Sequence, residues 1–462
     1  MSSYVVAGGT TVSTMIKKLI DLGVWTIEDA HNFINKTTPY YLTSIAEGYN
    51  TKTPFNKDRF VKHVVKSYKR TYENEWFKPV KRIADSGGYQ ISVGYIPEEN
   101  ILEFIDTYIE LLNHPVVGKA SEYMLSLDIV GDYPTFKDLN KLEEFNRISL
   151  EKTIQYDTSK IFYVYHFVNP RLEQFWWKFT LDYFDYFNNF SIGGLVAFGR
   201  DLAFPFNVYI LPLLKIINEK IARQKFEPFK FHILGVSSFT DIFSFIVFEK
   251  FLKEVYNFDI TINFDSTRAV RETAIAKRIQ IFYNGKLTPL SFRSRDLHKR
   301  VVDDKTNADL VKYICDYFNK NYNYNLQLPD KIEASDLYND NGKGSVKREI
   351  EGLMILASIE SLQRTVEVYE EDAENVVKAM LTGDIMRAER FIMHSMILTN
   401  FGKKTKKVVE KARALLNSLE IIQQKPDNKT IDEFLYRTLN GVQPFKLFDG
   451  SIPSNQVLTD LF

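Results

Sequence analysis

The stretch "FKFHILGVSSFTDIFSFIVFEKFLKEVYNFDITINFDST", residues 229–267, contains a complete strand–helix–strand unit. Phe229 to Val236 is a short, mostly apolar run that ends at Ser237 and Ser238, residues suited to opening a helix. Residues 239–257 carry apolar side chains at helical spacing, and "DITINF" returns as a second apolar run that stops at Asp265. A strand, a crossover helix and a second strand of this kind pair in parallel.

The same rhythm extends over residues 1 to about 300. Strands are read at "SYVVAGG" (3–9), "VKRIADSGG" (80–88), "YMLSLDIVGD" (123–132), "SKIFYVYHFV" (159–168), "FSIGGLVAFG" (190–199) and "RIQIFYNGK" (278–286). With the two strands of the opening stretch they make eight, and segments such as "PEENILEFIDTYIELLNH" (97–114) between them have the apolar spacing of helices. Several strands are nearly continuous apolar runs, as expected when both faces are buried. The expected fold is an α/β (β/α)8 TIM barrel over residues 1–300, followed by a helical accessory region over 301–462. In that second region Ile355, Ile359, Leu362, Val366 and Tyr369 share a helical face, and "TKKVVEKARALLNSLEII" (405–422) reads as another amphipathic helix. The Asn- and Asp-rich "EASDLYNDNGKGS" (333–345) reads as a loop.

Composition bounds the function classes. Of 462 residues, 45% are hydrophobic and 26% charged, which is globular rather than disordered. Lys and Arg total 59 and Asp and Glu total 59, so any nucleic-acid partner must be held by local patches rather than by net charge. The single cysteine, Cys315, excludes an intramolecular disulfide and a multi-cysteine zinc site. No secretory signal or membrane-spanning run is read, and the expected setting is the cytoplasm, the host's if the chain is phage-encoded.

In a parallel barrel the chemistry is done at the carboxyl ends of the strands. Those ends carry Asp85, Asp128 and Asp265, with Asp85 opening the double-glycine turn "DSGGYQ" (85–90). Each acid alone suits a helix N-cap; three at strand ends suit nucleophilic or acid–base chemistry. The seven histidines are scattered, so metal-free carboxylate chemistry is expected, with no cofactor.

"DSGGYQ" (85–90), "GGLVAFG" (193–199), "HILGV" (232–236) and "NFDSTRAVR" (263–271) resemble, in order and in position at strand ends, the signature segments of tRNA-guanine transglycosylases. The likeness spans roughly residues 80–285. It implies a (β/α)8 enzyme that exchanges guanine for a 7-deazaguanine, with Asp265 as nucleophile and Asp85 as general acid and base. It further implies that Asp128 bonds the purine edge, that Ser86 and Gly87 line the pocket and that the backbone at Gly194 and Leu195 touches the base. Tyr89 would stack on the heterocycle and Leu234 would cover its other face. Three departures matter. The family's Cys3His zinc cluster is missing, His166 stands where the family has Gln, and Arg200 stands near the family's Glu in a segment one residue longer. His166 remains a base-binding candidate. Arg200 points to a neutral nitrile or amide base such as preQ0 rather than a cationic aminomethyl one.

The missing zinc module and the added helices resemble the DNA-directed branch of this family, the DpdA-type transglycosylases of bacteriophages and bacterial DNA-modification clusters, whose products protect DNA from restriction. DNA is therefore the expected partner, with tRNA the alternative and a homodimer possible. An inactive nucleic-acid-binding paralogue and a small-substrate hydrolase remain rival classes. Arg268 and Arg271 are expected either to contact phosphate or to position Asp265, with "KSYKR" (66–70), "KPVKR" (78–82), "SFRSRDLHKR" (291–300) and "GKKTKK" (402–407) as weaker phosphate candidates.

Overall fold

The structure, a computed structural model, describes residues 3–46, 55–88, 91, 96–129, 138–166, 170–193, 206–236, 238–266, 278–283, 286–291, 305–332, 347–400 and 404–439. Eight parallel strands close into a barrel in sequence order. They are β1 (Ser3–Ala7), β2 (Tyr40–Ser44), β3 (Lys81–Asp85), β4 (Tyr123–Leu125), β5 (Ile161–His166), β6 (Asn189–Gly193), β7 (Phe229–Ile233) and β8 (Ile260–Ser266). The ring closes between β8 and β1, where Asp265 stands opposite Val5. The helices on this frame are α1 (Gly9–Asp21), α2 (Ile27–Lys36), α3 (Lys57–Tyr72), α4 (Ile101–Asn113), α5 (Leu139–Thr153), α6 (Pro170–Tyr183), α7 (Asn207–Ala222) and α8 (Phe239–Tyr256).

One strand assignment is corrected. "RIQIFY" does form a strand, β9 (Arg278–Tyr283), but it pairs antiparallel with β10 (Lys286–Ser291) in a separate two-stranded sheet. Its place in the barrel is taken by β2, "YYLTS", which sequence reasoning missed. This strand is only five residues long and follows "NKTTP", so it reads locally as a turn. Its backbone is nonetheless bonded on both sides, to β1 and β3.

Alternation within each strand sorts the side chains. Val5, Ala7, Leu42, Ile83, Leu125, Phe162 and Val164 fill the barrel interior as a cluster of their own. Their neighbours Tyr4, Val6, Tyr41, Ala84, Met124, Tyr163, Phe231, Ile262 and Phe264 face outward into the main core beneath the helices. Period-two burial on both faces explains why the strands read as continuous apolar runs.

Beyond the barrel come α9 (Lys305–Tyr322), α10 (Arg348–Val368), α11 (Glu370–Leu381), α12 (Ile385–Leu398), α13 (Lys406–Gln423) and α14 (Asn428–Leu439). These helices share the barrel's core rather than building a separate one. Helix α8 carries apolar side chains on more than one face because it is packed from two sides: Phe245 packs on Phe264 of β8 at 5.7 Å, and Phe243 meets Tyr369 of the helical region at 6.0 Å. A methyl group added at Gly352 of α10 would fall 2.8 Å from a terminal methyl of Leu19 in α1, so the absence of a side chain there lets those helices approach without moving Leu19. A buried lysine ties down the last described helix: Lys215 of α7 bonds Glu173 of α6 at 2.8 Å and Asp432 of α14 at 2.6 Å. No helix among the described residues is long and apolar enough to cross a membrane.

Candidate active site

Asp85 is the last residue of β3, and its register partner on β2 is Ser44. Its carboxyl is pushed up to about 6, first by burial and then by the charge of Asp128, with Asp265 adding to the effect; hydrogen bonds from Ser44 and the Gly87 backbone oppose it. Asp85 keeps part of its residue surface open to solvent although its carboxyl is enclosed. The carboxyl is what would carry the proton, so its enclosure governs the chemistry. A carboxyl in this state holds or releases a proton near neutral pH, as a general acid and base must.

The turn after Asp85 is built on two glycines with different tasks. Gly87 has φ +81°, a left-handed conformation that L side chains resist. Gly88 lies against Asp128: a methyl group there would fall 2.3 Å from Oδ1 and 2.4 Å from the Asp128 carbonyl oxygen. Ser86 is buried, and its hydroxyl donates a long hydrogen bond to Asp128 Oδ1 at 3.4 Å. Asp128 itself follows the short β4 and would be poorly held by that strand alone. Side chains of the neighbouring helices add support. The Tyr108 hydroxyl of α4 donates to the Leu125 carbonyl at 2.9 Å, and Asn146 of α5 grips Ile129 from both sides. There Oδ1 accepts from the Ile129 N–H at 3.1 Å, and Nδ2 donates to its carbonyl at 2.9 Å. Asn146 thus substitutes for a neighbouring strand one residue past the acid.

Asp265 projects from β8 toward the barrel axis and is 6% exposed. Its Oδ1 accepts the backbone N–H of Gly235 at 2.9 Å, a charge-assisted bond from the turn after β7. Gly235 has φ +80°, a left-handed conformation that glycine adopts without strain at this turn. Leu234, one residue earlier, packs on the interior cluster at the same end of the barrel. Beneath Asp265 stands His232, fully buried, with Nε2 3.3 Å from the same Oδ1.

The structure therefore brings Asp85, Asp128 and Asp265 to one end of the barrel, close enough for the latter two to act on the first, with Ser86, Gly87 and Leu234 around them. His166 closes β5 beside Gly193 of β6; its side chain lies outside the described residues. Tyr89, Gly194, Leu195, Arg200, Arg268 and Arg271 also lie outside them. Two basic stretches are placed at the wrong end for a site contact. "KPVKR" leads into the amino end of β3, and Lys69 and Arg70 sit in the last turn of α3 just before it. Arg82 is engaged in packing, its guanidinium lying 4.8 Å from the Tyr72 ring. Of "GKKTKK" the described part, residues 404–407, begins α13, and "SFRSRDLHKR" is outside the described residues beyond Ser291.

Sequence reasoning missed Ser44, Asn146, His232 and Gly235 as site residues. Only "HILGV" carried a signal for the last two; Ser44 lay in the unread strand, and Asn146 has no local mark at all. Among the described residues, no group of three or more His, Cys, Asp or Glu side chains could hold a metal ion. Cys315 is buried in α9 with Sγ 3.2 Å from the Leu326 carbonyl oxygen. No protein-family model matches the chain, and no curated protein and no solved structure matches it either.

Proposed function

We propose that this barrel is a base-exchange transglycosylase that replaces guanine in DNA with a neutral 7-deazaguanine of the preQ0 type. The observation that carries the reading is the pairing of unlike carboxyl groups at one barrel end. Asp85 is pushed up to about 6, beside an Asp265 anchored by a backbone N–H. The signature-like segments supply its second support, because Asp85, Asp128 and Asp265 stand at the strand ends that the resemblance to guanine transglycosylases requires.

In this reading the Asp265 carboxylate attacks the sugar C1′, the C1′–N9 bond breaks and its electron pair leaves with guanine. Protonated Asp85 gives its proton to the departing base. The covalent glycosyl-Asp265 ester is then displaced by the incoming 7-deazaguanine, whose proton passes to Asp85, and the two inversions retain the anomeric configuration. Asp128 and Ser86 bond the purine edge, and the Gly87-Gly88 turn lets backbone lie close to the ring. A base inside a duplex cannot reach this end of the barrel, so the target nucleotide is single-stranded or flipped out. The choice of DNA rests on the lone Cys315 and on helices α9–α14 in place of a zinc module.

The test is exchange of labelled guanine into either DNA or tRNA. Label in DNA that Asp265→Asn abolishes supports the reading. Label in tRNA alone would move the enzyme to the tRNA branch, and label in neither would refute base exchange.

A further inference from the structure

Three polar residues stand side by side inside the barrel just below the carboxylates. Ser191 of β6 is in register with His232 of β7, which is in register with Asn263 of β8. All three are buried, Ser191 and His232 completely. Among the described residues neither His232 ring nitrogen has a hydrogen-bond partner, and the Ser191 hydroxyl has none either. Placing an imidazole in an apolar interior with both nitrogens unsatisfied costs on the order of 1–3 kcal/mol per group. Apolar neighbours such as Phe162, 5.8 Å away between ring centroids, give it no compensation. A leucine or valine would fill the same layer without that cost.

His232 does have a charged neighbour. Nε2 lies 3.3 Å from Asp265 Oδ1, within ion-pair range but not aligned as a hydrogen bond. Oδ1 is also the oxygen that accepts the Gly235 N–H. Among the described residues, these two donors near the carboxylate therefore converge on one oxygen, approaching it from below and from the turn after β7. We propose that His232 is a positioning residue for the nucleophile. A proton on its Nε2 is shared with Asp265 Oδ1 once the carboxylate turns into alignment, which holds the side chain in one rotamer and leaves Oδ2 as the atom that attacks C1′. Fixing a nucleophile against about 1 Å of misplacement is worth roughly a hundredfold in rate. The kinetic part of this inference rests on the transglycosylase reading; the hydrogen-bond geometry does not.

The experiment has two arms for that reason. In the full-length protein labelled with 15N-histidine, the His232 ring signals are assigned by their loss in His232→Gln. The expected ring carries its proton on Nε2. A neutral ring protonated on Nδ1 with Nε2 bare has no donor for Oδ1 and overturns the proposal, whatever the enzyme's activity. In the second arm, His232→Phe and His232→Gln are compared in base exchange after thermal unfolding shows both to be folded. His232→Phe is expected to lower kcat about a hundredfold with KM little changed, and His232→Gln, whose amide can reach the same oxygen, to restore most of it. Wild-type kcat in His232→Phe, or equal losses in both variants, overturns the positioning role. A wild-type protein without exchange would sink the transglycosylase reading, and the ring-proton arm would still decide the hydrogen bond.

Discussion

Gly88 and Asp128 meet so closely that no side chain fits between them: a methyl group on residue 88 would fall 2.3 Å from Asp128 Oδ1. The second glycine of the turn is thus a spacing element that sets how near the turn after β3 comes to the acid after β4. Gly88→Ala is expected to push Asp128 aside and to destabilise the fold by about 1–3 kcal/mol, the usual range for overpacking. Chemical denaturation measures the stability, and calorimetric titration with a 7-deazaguanine base should show weaker binding. Unchanged stability together with unchanged binding would mean that the turn yields freely.

Asp85 links the site to stability. Its folded carboxyl, at about 6, lies above its ordinary value of 3.8, so between those two pH values the unfolded chain holds fewer protons than the folded one. Stability contributed by this group is therefore full in acid and is lost as pH rises from about 4 through 6. Asp85→Asn should make the protein more stable at pH 7–8 by about 1–3 kcal/mol, with the gain vanishing below about pH 4. Urea unfolding across pH tests this, and a gain that is the same at every pH would not come from this carboxyl.

The same proton has a kinetic consequence. In the proposed transglycosylase reading, release of guanine needs Asp85 protonated, so single-turnover base release should fall about tenfold per pH unit above the carboxyl's midpoint, near 6 in the free protein. Rapid-quench measurement from pH 5 to 8 checks it, and a rate that rises through this range would remove Asp85 from the role of acid.

Asn146 holds residue 129 by hydrogen bonds to both its N–H and its carbonyl. Asn146→Ala leaves two buried backbone groups unpaired and should cost about 2–4 kcal/mol, along with weaker base binding through the displaced Asp128. Asn146→Asp keeps only the acceptor and should recover part of the stability. Denaturation midpoints of the two variants separate a hydrogen-bond effect from simple loss of volume.

Lys215 is 1% exposed and bridges Glu173, itself nearly buried, to Asp432 on the final described helix. Glu173 also accepts a hydrogen bond from the Tyr165 hydroxyl of β5. Lys215→Met strands the buried Glu173 charge and should cost about 3–5 kcal/mol, whereas Asp432→Asn, at a half-exposed position, should cost less than about 1 kcal/mol. Equal losses in the two variants would show that the clamp on α14, rather than the buried charge, holds this corner.

Much of the architecture was legible because it rests on local pattern. The barrel strands other than β2, the helices α4, α8 and α13, and the acids at the ends of β3, β4 and β8 all follow from apolar spacing and from the polar residue that ends each run. The long helical stretch after residue 345 was legible too, although the structure breaks it at Tyr369 into α10 and α11. What a strand pairs with is not a local property. "RIQIFY" has every mark of a barrel strand and joins a hairpin instead, while "YYLTS" has few such marks and completes the ring. Backbone hydrogen bonds are alike for any strand, so partner and register are chosen by closure of the whole barrel.

The site divides along the same line. That acids stand at strand ends is written in the sequence, because the end of an apolar run marks where the chain leaves the sheet. Which oxygen of Asp265 is held, which asparagine supports Asp128 and which carboxyl is pushed up were decided only by the tertiary structure. Asp85 differs from Asp265 not in residue type but in the neighbours that folding gives it: the charges of Asp128 and Asp265 bear on Asp85, while Asp265 accepts the Gly235 N–H.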